Sequence, residues 1–173
     1  MSLLARIQRV EDRVVGAMAY LCGALFLLLA FYTSFDVIGR RYLGVFSGVT
    51  DEVSEYALAV GASWALAYTL KSGGHVRVDI LLPHFPPPVR RLADALAMAI
   101  MAVFAATVAF FLWKLVASSY AIGATGHSII QTPQWLPQAC AALGYTCLAL
   151  VALTGLVARL LGAGEPLADE QGS

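Results

Sequence analysis

Residues 14–38 read VVGAMAYLCGALFLLLAFYTSFDVI, and Asp36 is the only charged side chain in the run. A helix needs about 20 mostly apolar residues to cross about 30 Å of hydrocarbon. The run supplies that length with residues to spare. It is also longer than the roughly 7–15 apolar residues of a secretion signal, and Ala30-Phe31-Tyr32-Thr33 lacks a small-x-small cleavage pattern. The segment therefore reads as a retained transmembrane helix.

Three further stretches follow the same logic. The second covers 53–70, with Glu55 near its start. The third covers 92–117, with Asp94 at one end and Lys114 near the other. The fourth covers 135–160, and its single charge, Arg159, sits at the far end. The expected fold is an all-α integral membrane protein of four transmembrane helices, with an interfacial cytoplasmic loop between the second and third. Composition agrees: of 173 residues, 60% are hydrophobic and 13% charged, against about 45–50% and about 25% in soluble domains. Eleven basic residues balance eleven acidic ones with no basic block, which excludes a nucleic-acid binder. Three cysteines without a C-x-x-C pair make neither a disulfide framework nor a zinc site.

Lysine and arginine set the expected orientation. With the N-terminus cytoplasmic, the inner side holds Arg6, Arg9, Arg13, Lys71, Arg77, Arg90, Arg91 and Arg159. The outer side holds Arg40, Arg41 and Lys114. Both termini are thus expected inside. Outer loops run from 39 to 52 and from 118 to 134, and the inner loop from 71 to 91. Residues 162–173 form a polar tail with nothing to bury, expected to be disordered. These segments leave no room for a soluble catalytic domain, and no internal repeat suggests an inverted-repeat transporter.

Depth decides the meaning of a charge inside a span. At 1.5 Å per residue, Asp36 lies about 33 Å along the helix from Val14, and Lys114 about as far from Leu92. Both belong near the outer interface. Asp36 and Arg40 are spaced i, i+4 with the acid first, the favourable order on a helix. No charge falls near the middle of any span, and His75, His84 and His127 all lie in loops. Haem ligation, intramembrane hydrolysis and a proton-cycling carboxylate therefore have no residues to carry them. No cofactor and no enzymatic activity are expected.

On the second span, Ala57, Gly61 and Ala65 recur every fourth residue, a small-xxx-small strip that lets backbones approach. Ala102 and Ala106 offer a similar strip on the third. Such strips serve packing within the four helices or contact with another membrane protein. Trp64 and Tyr68 suit either a lipid-facing belt or an interface anchor. Cys22, Cys140 and Cys147 read as small apolar fillers. The inner loop begins with Gly73 and Gly74, alternates polar and apolar residues to Asp79, and then runs through His84-Phe85-Pro86-Pro87-Pro88, which cannot be helical throughout. Its Val76, Val78, Ile80 and Leu81 suit the membrane surface, where Arg77, Arg90 and Arg91 meet anionic lipid.

Taken in order, these motifs resemble the small membrane subunit (DctQ-like, Q-type) of tripartite ATP-independent periplasmic (TRAP) transporters, over roughly Val37 to Leu160. Arg41-Tyr42 matches the pair that closes the first span. Asp51-Glu52-Val53-Ser54-Glu55-Tyr56 matches the acidic helix start, followed by Gly61 and Trp64. The most specific element, Gly-Gly-His-hydrophobic-Arg-Val-Asp, is intact from Gly73 to Asp79, through His75 and Arg77. Pro133-Gln134-Trp135 opens the fourth span. Ser47-Gly48-Val49-Thr50 departs from the usual Pro-Trp-type lead, and Pro137 falls very early in the fourth span.

The resemblance implies a scaffold subunit of a sodium-coupled, binding-protein-dependent transporter for organic acids in the bacterial cell inner membrane. Its implied partners are a large multi-span TRAP membrane subunit, a periplasmic substrate-binding protein and membrane lipids, with no nucleic acid. The large subunit moves in an elevator-like way, and the small one enlarges the static part. On that footing Arg40, Arg41, Arg90 and Arg91 anchor the chain to lipid or to the interface. Glu52, Glu55, Gly61 and Trp64 are candidate partner contacts, and His75, Arg77 and Asp79 hold the inner loop. A self-contained dimeric transporter is the alternative. It would need a membrane-embedded carboxylate, for which Asp36 is the one candidate, placed too near the outer end.

Overall fold

Helix punctuation explains where each element begins and ends. The computed structural model describes residues 3–44, 48–72, 87–128 and 131–160. These residues form four helices: α1 (Leu3–Leu43), α2 (Thr50–Lys71), α3 (Pro87–Ile122) and α4 (Trp135–Leu160). At 1.5 Å per residue they measure about 61, 33, 54 and 39 Å. Residues 3–13 contain no glycine or proline, so α1 continues well past the apolar run expected at 14–38. It stops at Gly44, whose φ is +66°. Pro87 and Pro88 open α3, because proline is tolerated in the first turn, where the amides lack intrahelical partners anyway.

The third helix runs further than the expected 92–117. It ends in a Schellman arrangement around Gly123, at φ +64°. There Ala124 N–H donates to the Ser119 carbonyl at 2.9 Å and Gly123 N–H to that of Tyr120 at 3.3 Å. The connection between α3 and α4 is thereby shortened and closed on itself. Thr125 and Pro133 form an antiparallel bridge, Gly126 N–H donates to the Thr132 carbonyl at 2.8 Å, and Gln134 N–H to that of Ala124 at 3.0 Å.

Among the described residues, three helices are long and apolar enough to cross a membrane: α1 within Arg6–Tyr42, α3 within Leu92–Ile122, and α4. The second expected span, 53–70, coincides with α2, which has the length but not the apolarity. It carries Asp51, Glu52, Glu55 and Lys71 and is otherwise rich in Ala, Ser and Thr.

α4 packs extensively on both α2 and α3, and α2 on both α1 and α4, while α1 touches α4 only lightly. The spatial order is therefore α1–α2–α4–α3, with the two longest helices on opposite flanks. The core is built from small residues: Ala67, Ala105, Ala142 and Ala152 are fully buried, beside Leu148 and Val15. Membrane helices associate by such close approach, since lipid offers no hydrophobic drive for one helix to meet another. At Gly61 an added Cβ would lie 2.5 Å from the Phe26 ring of α1. At Gly144 it would lie 2.7 Å from Ser63 Oγ and 2.8 Å from Trp64 Cδ1 of α2. The flank helices, in contrast, display Leu21, Leu28, Phe31 and Phe35 on α1 and Leu92, Leu96, Ile100 and Val103 on α3.

Candidate functional site

The charged side chains that join separate elements gather at the two ends of the helices. At the end that the sequence leads one to expect inside, and which is called inner on that basis, the starts of α1 and α3 lie with the finishes of α2 and α4, and Lys71 Nζ lies 3.2 Å from Glu11 Oε2 and 3.1 Å from Asp12 Oδ1. Thr154 Oγ1 of α4 donates to the same Glu11 oxygen at 3.0 Å. Glu11 is thus the meeting point of three helices, with a side chain only 12% exposed. The sequence reading passed over Glu11 and Thr154. The one available signal was a carboxylate pair one turn inside an arginine-rich helix start, with a lone lysine closing the next helix.

At the outer end, Glu52 in the first turn of α2 reaches the α3–α4 connection, where Ser128 N–H donates to its Oε2 at 2.8 Å. Gly126 lies against the same carboxylate so closely that a Cβ there would overlap it. The neighbouring Ser128 hydroxyl and amide hold the Glu52 carboxyl below its ordinary range, overcoming the opposite effect of desolvation, and the Tyr56 and Thr132 hydroxyls add to this. Glu52 therefore stays ionised and serves as a latch on the outer loop. Neither Ser128 nor Gly126 carried a sequence signal.

The expected Asp36–Arg40 pair is present. Arg40 Nε donates to Asp36 Oδ2 at 2.9 Å and its second guanidinium nitrogen lies 2.8 Å away. Asp36 is 7% and Arg40 38% exposed at the side chain. Arg41, Tyr42 and Glu55 are exposed at the same end. Lys114 sits over the Phe110 ring at 5.5 Å, and Tyr120 meets Trp135 edge to face at 5.8 Å. From Glu52 to Lys71 is about 28 Å along α2, close to the thickness of the hydrocarbon layer.

Between these belts the contacts are neutral. Trp64 Nε1 donates to the Cys140 carbonyl at 2.9 Å, joining α2 to α4. The Cys22 thiol donates to the Gly61 carbonyl at 3.2 Å, joining α1 to α2. Trp113 Nε1 donates to Thr146 Oγ1 at 3.2 Å, joining α3 to α4. Gly61 and Trp64 are thus engaged within the chain. Arg90 and Arg91 lie in the opening turns of α3. Gly73, Gly74, His75, Arg77 and Asp79, with the 162–173 tail, fall outside the described residues. His127 is exposed in the outer loop. Among the described residues, no group of His, Cys, Asp and Glu could hold a metal ion.

A protein-family model described as "Tripartite ATP-independent periplasmic transporters, DctQ component" matches residues 29–162. No curated protein and no solved structure matches the chain. The matched region covers α2, α3, α4 and the C-terminal part of α1. The chain belongs to the DctQ family: it is the small membrane component of a TRAP transporter, not an enzyme.

Proposed function

We propose that this DctQ-family chain braces and orients the large multi-span subunit of a sodium-coupled transporter for organic acids, supplied by a periplasmic substrate-binding protein. The observation that carries the reading is where the ionisable groups sit. Among the described residues, the charged groups lie toward the two ends of the helices, where Glu11, Lys71 and Glu52 join separate elements. The intervening layer holds only indole, thiol and hydroxyl contacts. A cation-coupled carrier needs an acidic or carbonyl-lined site at depth. A brace needs rigid helices and interfacial anchors.

On this reading α2 is the fourth membrane span, with its two charged ends at the two interfaces and both chain termini in the cytoplasm. Arg40 and Arg41 bind lipid phosphate at the outer surface of the inner membrane, while Arg90 and Arg91, with the 73–79 motif, anchor the inner surface. Glu55 and the loop latched by Glu52 face the large subunit or the docked binding protein. Gly61 and Trp64 contribute indirectly, by setting the α1–α2–α4 packing that the partner meets. Asp36 is tied to Arg40 near the outer end, which suits an anchor better than an ion-coupling site.

The test is expression with and without the large subunit. The chain should co-purify with that partner in detergent and support uptake only in its presence, with the binding protein. Organic-anion uptake by vesicles containing this chain alone would defeat the proposal.

A further inference from the structure

α2 is the one described helix without a stretch apolar enough to count as a membrane span, and it is flanked by helices on two sides, α1 and α4. Its Ser54, Ser63 and Thr69 hydroxyls bond to carbonyls of α2 itself, but four further polar groups are answered from outside the helix. Trp64 donates to the Cys140 carbonyl of α4, the Gly61 carbonyl accepts from Cys22 of α1, Lys71 pairs with Glu11 and Asp12 of α1, and Glu52 takes the Ser128 amide. Its large aliphatic side chains are few, Val53, Leu58, Val60, Leu66 and Leu70, against five alanines, a glycine and several hydroxyls. The other three helices meet the length and apolarity of a self-sufficient span, and α2 does not.

Insertion of a lone helix depends on its summed side-chain transfer energies, to which only large apolar residues contribute favourably and acids and lysine contribute against. A polar group in lipid must also find an internal partner. For α2 the partners on α4 arrive last in the chain. We infer that α2 does not hold a transmembrane position by its own hydrophobicity, and that the seat formed by Gly144 and the Cys140 carbonyl on α4 keeps it there. The inference rests on the four-span reading proposed above. It adds to that reading an order of assembly: α1, α3 and α4 insert autonomously, and α2 is retained by them.

Gly144 is the position on which this turns, since any side chain there meets Ser63 and Trp64 of α2. The assay places a single cysteine at Ser72, an exposed residue just past α2, in the full-length chain with Cys22, Cys140 and Cys147 replaced by alanine. A membrane-impermeant maleimide then reports on which side of the membrane of intact spheroplasts Ser72 lies. In the parent, Ser72 should be shielded from the outside. Gly144→Leu should raise outside labelling at least about threefold. Adding Ala59→Leu and Ala62→Leu, two exposed α2 positions, should make α2 apolar enough to stay and return labelling to the parent level.

If Gly144→Leu leaves Ser72 shielded, or if the two leucines fail to reverse its effect on labelling or on chain abundance, the inference is overturned. A parent chain already labelled from outside overturns the four-span reading itself, so the two failures are distinguishable.

Discussion

Glu52 accepts the backbone amide of Ser128 at 2.8 Å, so the first turn of α2 and the connection between α3 and α4 form one unit although 76 residues separate them. The same carboxylate sits against Gly126, where a Cβ has no room. The short α3–α4 connection is in this way given a defined shape by an acid from another helix.

That latch should depend on pH in a specific sense. The folded carboxyl titrates below its ordinary range, so its contribution is complete above the unfolded glutamate value of about 4.3 and is lost as pH falls through the lower folded value. Amide protection of residues 123–128 and 131–134, relative to their intrinsic exchange at each pH, should therefore be unchanged from pH 8 to 5 and be lost only in stronger acid. Glu52→Gln should abolish that acid step, and Gly126→Ala should give low protection at every pH.

The inner cluster should behave as a coupled set. Removing one partner of a fully buried pair costs about 3–5 kcal/mol, and of an exposed pair about 0–1 kcal/mol. Glu11 and Lys71 are 12% and 24% exposed at the side chain, so Lys71→Met or Glu11→Gln should each cost about 1–2 kcal/mol. A double-mutant cycle in detergent should return a clear coupling energy for Glu11 with Lys71. The cycle for Asp12, 57% exposed, should return close to none.

The close helix contacts predict steric effects with a matched rescue. Gly61→Ala should destabilise by about 1–3 kcal/mol, as overpacking does, because the Phe26 ring occupies the space. Phe26→Leu should recover most of the loss in a thermal-shift measurement. Trp64→Phe removes the donor to the Cys140 carbonyl and should cost about 1 kcal/mol.

Replacing Arg40 and Arg41 with alanine tests the lipid anchor. Yield of the complex with the large subunit, or transport by it, should fall severalfold, while substrate affinity of the isolated binding protein stays the same. Full transport by the double variant would remove the lipid-phosphate role.

Legibility followed periodicity and local spacing. The four helices, and the Asp36–Arg40 pair one turn apart on α1, could be read from the chain because each depends on neighbours in sequence. The extra turns of α1 and α3 could not. Apolarity marks where lipid begins, whereas the helix itself ends only where a glycine such as Gly44 or Gly123 permits a left-handed turn. The Glu11–Lys71–Thr154 meeting and the Glu52–Ser128 latch join residues 60 to 143 positions apart. No pattern within a single helix encodes them. Gly61 stood out as part of a small-residue strip, yet only packing reveals that Phe26 fills the space beside it.

The order α1–α2–α4–α3 has a further consequence. Among the described residues the two long helices α1 and α3 stand on opposite flanks, so the four helices form an open panel and not a ring closed around a passage. Such a panel can stiffen whatever it leans on, and its reach is set by its two tall edges, not by its shorter middle.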